Sequence, residues 1–402
     1  MPTLLQINTA LGVGSVGGLV SRIAVAAAAA GWRSVVAHGP RYVSPHVPPG
    51  VESVCIGGRA DELVHVGATR LLDRHGLASR RATRRLVEQI RSDIRPDLIH
   101  LHNLHGYYLN YPELLRYLSS ADVPVVWTLH DCWPFTGHCG FYDAAGCDRW
   151  RTGCHSCPSR RVYPSALMSR SEANYSLKRR LFTALGPRLH IVTPSRWLAG
   201  QVAESFLRDT PVRVIPNGID LDVYRPTVAK EPLSVLGVAA PWTPLKGLDD
   251  FAELRRLLPP EYEITMVGLG PAQLRRMPRL HRGIRGIGRI YTAEGLAREY
   301  SRAAVYVNLT YQDNYPTVNL EAMACGTPVV TYAAGGSGEA VTAATGAVVP
   351  TGDVAAAAAA VRRIAGGDMA AVSAACRRRA EEHFGSDKCM REYLNMFKNI
   401  LF

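Results

Sequence analysis

Several sets of residues in this chain have the types and spacing to do chemistry. Asp313 and Glu321 stand eight positions apart in DNYPTVNLEAMACGTPVVTYAAGGSGEAV, with Glu321 read as opening a helix and a strand and glycine-rich turn following it. Such carboxylates can each accept two hydrogen bonds at once, or simply favour the positive end of a helix. In GVGSVGGLVSRIAVAAAA, Gly14, Gly17 and Gly18 precede a helix, where bare backbone can approach a phosphate; a tight structural turn is the other reading, since the segment is not GxGxxG. Lys246 sits beside a turn in PWTPLKGLDDF, and His130 and Asp131 end a strand in TLHD. Cys132, Cys139, Cys147, Cys154 and Cys157 fall within 26 positions. Thiolate coordination of a structural zinc by Cys139, Cys147, Cys154 and Cys157, with His138 and His155 as substitutes, is the expected use; reduced buried thiols and disulfides are the alternatives.

These residues need elements to hold them. LLQIN, RSVVAHG, DLIHLHN, VPVVWTLHD and HIVTPS alternate with stretches of helical spacing, the pattern of a parallel sheet with crossover helices. After VRVIPNGIDLDVYRP the alternation restarts with LSVLGVAA, YEITMVG, AAVYVNL, TPVVTYA and GAVVP. The expectation is an α/β fold of two Rossmann-like doubly wound domains. Residues 1–210 form the first, with a cysteine-rich insertion at 132–158, and residues 211–375 the second. A helix over 376–402 packs back toward the first. Ligands of open α/β sheets lie beyond the carboxyl ends of the strands, so two such edges imply a shared cleft.

Length and composition agree with this division. The 402 residues are 47% hydrophobic, and no apolar run approaches the roughly 20 residues of a membrane span. The N-terminal segment runs straight into a strand without the features of a secretory signal, so a cytoplasmic location is expected. The net charge of +12 is uneven: residues 1–200 hold 23 Lys and Arg against 13 Asp and Glu, a balance of +10. An anionic partner or a merely solvated basic face accounts for it. The basic stretch RLLDRHGLASRRATRRLVEQIRSDIR has helical spacing and suits an anionic membrane surface, at the inner face of the membrane. Nucleic acid is not expected, because no recognition helix or aromatic RNA-binding motif is present.

The acidic segment resembles the donor-binding region of retaining glycosyltransferases of family 4, where two acidic residues separated by seven others bracket a nucleotide sugar. The resemblance implies the GT-B fold and places Asp313 on the donor sugar's hydroxyls and Glu321 on the ribose, with Asn314, Tyr315, Pro316 and Thr317 beside them. Asp313 replaces the more usual Glu. PNGIDLDVYRP, with Asn217, Gly218 and Asp220, matches the family's interdomain loop, and Lys246 matches the lysine that stabilises the departing diphosphate. Pro241 stands where many members carry an arginine; Arg196 and Arg289 are the candidates to replace it. His130 would face the donor sugar; Gly17 and Gly18, read from the residues alone, are expected to approach the donor phosphate.

LIHLHNLHGYYLNYPELL and the segment from VVWTLHDCWPF to CHSCP resemble the subgroup serving exopolysaccharide assembly, including colanic acid glycosyltransferases. By that resemblance His102, Asn103, His105 and Asp131 line the acceptor side. Trp133, Phe135, Tyr107 and Tyr108 either stack on sugars or fill the core. The implied reaction moves a sugar from a UDP-linked donor, in preference to a GDP-linked one, to a hydroxyl of a glycan or lipid-linked acceptor without a catalytic metal. A catalytically inactive sugar-nucleotide-binding relative remains the alternative, as does, on charge and cysteines alone, a basic zinc-containing nucleic-acid-binding protein.

Overall fold

A computed structural model describes residues 1–280 and 283–402, with residues 278–280 described by their backbone. The chain divides into two compact units, Met1–Pro216 together with Met390–Phe402, and Asn217–Cys389.

The first unit is built on a seven-stranded sheet: β1 (Thr3–Leu11), β2 (Arg33–Val43), β3 (Val51–Cys55), β4 (Leu98–Leu101), β5 (Val125–Thr128), β6 (Leu189–Thr193) and β7 (Val212–Val214). All neighbours run parallel, in the order β3-β2-β1-β4-β5-β6-β7. Strands covered on both faces read as continuous apolar runs, and all but one residue of β1 is buried. Two of its polar residues, Gln6 and Asn8, are fully buried, with their amides bonded to Val20 O at 3.0 Å and Ala10 O at 2.7 Å. The helix Gly14–Ala29 can pack closely on β1 because Gly17 is bare: a Cβ there would lie 3.2 Å from that of Ala10. Gly17 thus has a packing duty as well as any ligand role.

The basic stretch 70–95 is not one helix. One helix ends at Leu72 and the next runs Arg80–Gln89, because Asp73 and Ser79 take left-handed backbone conformations and Asp73 turns inward. The last helix, Ser386–Leu401, brings Tyr393 and Phe397 onto the ring of His100, with centroids 5.5 and 5.3 Å away, and Tyr393 Oη lies 3.1 Å from Thr128 Oγ1.

The second unit repeats the plan with six parallel strands: β8 (Ser234–Val238), β9 (Glu263–Val267), β10 (Ile284–Ile287), β11 (Val305–Asn308), β12 (Val329–Tyr332) and β13 (Gly346–Val349). Their order is β10-β9-β8-β11-β12-β13. Both sheets reverse direction of winding beside their first strand, between β1 and β4 and between β8 and β11. Open α/β sheets bind ligands at such points.

Candidate active site

In the second unit the reversal point gathers the residues of the acidic segment. After β8 a short turn, Pro244–Lys246, ends at Gly247 in the left-handed region (φ 76°). A Cβ on Gly247 would lie 2.5 Å from Leu309 O, so only glycine lets the turn after β8 close on the turn after β11. Tyr311 N donates to Leu245 O at 2.9 Å across the same junction. Lys246 Nζ thereby reaches Asp313 Oδ2 at 2.8 Å, joining two residues 67 positions apart. Both side chains retain solvent access.

Asp313 is held from behind by the glycine-rich turn. Gly335 adopts φ 57°, a Cβ on it would fall 2.0 Å from Asp313 O, and Gly336 N donates to that carbonyl at 3.2 Å. Asn314, Tyr315 and Pro316 follow in buried backbone, and Asn217 Nδ2 donates to Tyr315 O at 3.3 Å. The helix Thr317–Ala324 starts with neither a side-chain cap nor an acid in its first turn. Asn319 N–H bonds back to Pro316 O at 3.1 Å, and the positive end of the helix dipole at Thr317 and Val318 favours an anion. Glu321 stands in the middle of this helix, rather than opening it, because Pro316 occupies the cap. One of its oxygens, Oε2, accepts the Tyr300 hydroxyl at 3.1 Å. Asn319 braces the same helix, accepting from Asn308 Nδ2 at 2.9 Å and donating to Ser337 O at 2.9 Å. Of the two candidate arginines, Arg289 follows the edge strand β10, exposed over the Tyr291 ring, and Arg196 begins a helix of the first unit.

In the first unit, the loops after β4 and β5 carry the histidines. Gln6 Nε2 donates to Val20 O, an atom that can only accept, so Oε1 faces His102. His102 must then donate from Nε2, at 3.1 Å, leaving Nδ1 as an acceptor. His130 Nε2 lies 3.1 Å from that Nδ1 and must be its donor, which puts the lone pair of neutral His130 on Nδ1. The rings stack at 13°. Burial draws His130 down to about 4 and His100 to about 3, and it holds His102 well below the ordinary imidazole value. All three are neutral at pH 7.

Beside them His105 Nε2 and Asp131 Oδ2 pair at 2.9 Å, while Asp131 Oδ1 accepts Trp133 N–H at 2.9 Å. Burial pushes the Asp131 carboxyl up, but the charge of His105 and these hydrogen bonds outweigh it and hold the group below the usual value. Asn103 N donates to Asn8 Oδ1 at 3.2 Å, tying this loop to the end of β1. Gly18, on the second turn of the Gly14–Ala29 helix, faces Arg22.

Sequence reasoning missed several residues here. His75 accepts Gly106 N–H at 3.2 Å, and Tyr163 Oη approaches His105 Nδ1 at 3.4 Å. Buried Lys178 donates to Trp133 O at 2.7 Å and Thr136 O at 3.0 Å, fixing the loop after Asp131; burial draws its ammonium down to about 7. His138 Nδ1 meets Asp73 Oδ1 at 2.6 Å, which is why Asp73 leaves the helical path. Of the four aromatics suggested for sugar stacking, Trp133, Phe135 and Tyr108 are core residues and Tyr107 alone is partly exposed.

The zinc expectation finds no support in the arrangement of the cysteines. Cys139, Cys147, Cys154 and Cys157 line one small pocket, yet among the described residues no three metal-ligating side chains converge. Cys139 and Cys157 hydrogen-bond to each other, which holds the Cys157 thiol down, and Cys154 Sγ accepts Gly137 N–H at 3.1 Å. Every cysteine is an unbridged thiol.

Comparisons with known proteins agree with this architecture. Sucrose-phosphate synthase from Thermosynechococcus elongatus superposes with a TM-score of 0.72 over 99% of both chains at 19% identity. HepE of Anabaena, solved with UDP-glucose, gives 0.66 over 99% of this chain and 100% of that one at 15% identity. A protein of Escherichia coli K12, WcaC, named for colanic acid biosynthesis glycosyl transfer, is 38% identical over 134 residues, 31% of this chain and 32% of that protein. A D-inositol 3-phosphate glycosyltransferase of Nocardiopsis dassonvillei is 28% identical over 170 residues, 34% of this chain and 38% of its own. The chain thus spans about a third of the length of the curated relatives it matches. The pattern described as glycosyl transferases group 1 matches residues 233–366, and that of glycosyltransferase family 4 matches residues 16–223, more than half of the chain. With two Rossmann-like sheets and these matches, the chain belongs to glycosyltransferase family 4.

Proposed function

We propose that this protein transfers a sugar from a nucleoside diphosphate sugar, UDP-linked, to a hydroxyl of a glycan or lipid-linked glycan with retention at the anomeric carbon. The observation that carries the reading is the Lys246–Asp313 pair at the β8/β11 reversal point, beside the uncapped start of the Thr317–Ala324 helix. HepE, of like fold, binds UDP-glucose, which favours uridine. In the ligand-free protein Lys246 neutralises Asp313. An arriving diphosphate offers Lys246 a stronger partner, and the released carboxylate accepts hydrogen bonds from the sugar. Lys246 and the helix N–H groups then stabilise the charge that grows on the departing phosphate, the dominant contribution in such reactions. Glu321, with one oxygen oriented by Tyr300, accepts the ribose hydroxyls.

Retention follows the family resemblance. Asp313 and Glu321 are assigned to sugar and ribose hydroxyls rather than to attack on the anomeric carbon, so in this reading the leaving phosphate itself takes the acceptor proton on the face it departs from. His102, His105, Asn103 and Asp131 serve the acceptor, and His130 faces the donor sugar.

A thermal-shift series with UDP, GDP, ADP and TDP tests the donor half. At a hundred times its dissociation constant, UDP should stabilise the protein by about 2.7 kcal/mol. Lys246→Ala should keep the fold, weaken that shift and lower turnover by roughly 10²- to 10³-fold. A flat series across all four nucleotides, or full turnover in the variant, defeats the reading.

A further inference from the structure

The helix Arg59–Leu72 is inside out. Its inward face is polar: His65 and Thr69 are buried, with His65 Nδ1 bonded to Ser79 Oγ at 2.9 Å and its Nε2 accepting Gly76 N–H at 2.9 Å. Its outward face is apolar: Ala60, Leu63, Val64, Gly67 and Leu71 repeat at helical spacing, with Leu63 72%, Val64 67% and Leu71 55% exposed. A second segment extends the stripe. Leu167 N donates to Arg70 O at 2.7 Å, which places Leu167 and Met168, 71% and 56% exposed, at the end of this helix.

The border is basic. Arg70, Arg74, Arg160, Arg161 and Arg170 are exposed on the same two segments, and Arg160 Nη1 donates to Leu167 O at 3.2 Å. The acids of the same segments are occupied: Asp61 caps Gly58 N at 3.0 Å, Glu62 pairs with Arg41 at 3.1 Å, and buried Asp73 serves His138. Leaving so much apolar surface in water is unfavourable, and soluble proteins rarely keep a contiguous patch of this kind without a use. Apolar side chains ringed by arginines match the acyl boundary and phosphate headgroups of an anionic bilayer, in which such a helix lies flat.

We propose that this face of the first unit docks on an anionic lipid surface through Leu63, Val64, Leu71, Leu167 and Met168, with the surrounding arginines on lipid phosphates. The site overlaps only the start of the 70–95 stretch suggested by sequence, at Arg70, Leu71 and Arg74, and otherwise lies on Arg59–Leu72 and residues 160–170. The patch also leads toward the acceptor residues, since partly exposed Tyr163, four positions before Leu167, touches His105. A lipid-linked acceptor would therefore meet the His105–Asp131 pair from the membrane side. That last step rests on the function proposed above, whereas the docking itself does not.

Sedimentation of the full chain with vesicles tests the docking. Phosphatidylcholine containing about 30% phosphatidylglycerol should bind the protein, phosphatidylcholine alone should not, and about 0.5 M salt should release it. Leu63→Ser with Leu167→Ser should weaken binding about tenfold, and Arg160→Glu with Arg161→Glu should remove the preference for anionic lipid. Both pairs are exposed, so unchanged thermal unfolding and an unchanged UDP shift should accompany the loss. No binding to either vesicle, or binding indifferent to both pairs, overturns the proposal. So does a wild-type dimer in light scattering that the leucine pair breaks, which would assign the patch to a second copy of the chain. A failed UDP shift with intact vesicle binding would strike the proposed function and leave the docking surface standing.

Discussion

The histidines of the first unit take their protonation from neighbours that can act in only one sense. Val20 O fixes the Gln6 amide, Gln6 fixes His102, and His102 fixes His130, so a glutamine in β1 sets which nitrogen of His130 carries the proton. Gln6→Leu removes the only group in this chain of contacts that requires His102 to donate from Nε2. We expect the ¹H–¹⁵N correlation pattern of His102 to change from the Nε2–H tautomer to a mixture, with a stability loss of about 1–3 kcal/mol from the unsatisfied buried donor. An unaltered tautomer pattern would remove Gln6 from this role. At this scale the sequence was legible where a local motif travels with its residues, as for Lys246, Asp313 and Glu321. Gln6, His75, Tyr163 and Lys178 were not legible, because each is an ordinary residue until a distant loop packs against it. The cysteine spacing invited a metal. The thiols turn toward one another and toward a backbone N–H, and among the described residues no group of three is placed to hold a metal ion.

Elements position these side chains through close backbone approaches. Gly335 has room for no side chain against Asp313 O and holds a left-handed φ as well. Gly335→Ala should cost at least about 2 kcal/mol, read as a shifted denaturant midpoint with an unchanged slope, and should raise the donor KM by displacing Asp313. A loss below about 0.5 kcal/mol would mean the turn yields without strain. The strand pattern was readable because both sheets are parallel and buried on both faces, which writes long apolar runs into the sequence. Helix limits were less so. The 70–95 stretch keeps helical spacing throughout, yet tertiary bonds from Asp73 to His138 and to Arg170 N, at 2.6 and 2.8 Å, break it. Glu321 falls inside its helix for a simpler reason, the cap position taken by Pro316.

Across the whole molecule the two units share a plan but differ in how they should respond to acid. The first buries His65 and His100, drawn down to about 4 and about 3 by burial, together with His102 and His130. Each folded value lies below the unfolded one near 6.5, so the unfolded state binds more protons in that window and stability falls as pH drops. Stability should be full above about pH 6.5 and decline toward pH 4, by about 2 kcal/mol for each of His65 and His100 between pH 7 and pH 5. The second unit's described histidine, His383, is exposed at a helix end. Hydrogen exchange should therefore show the first unit loosening before the second; simultaneous loss would contradict the assignment.

The grouping of Met390–Phe402 with Met1–Pro216 has a temporal consequence. On the ribosome, the aromatic cover that Tyr393 and Phe397 give His100 is synthesised only after all of Asn217–Cys389, roughly 10–35 s later at ordinary elongation rates. The nascent first half must wait that long with one flank of its sheet uncovered, so the second unit can finish folding before the first.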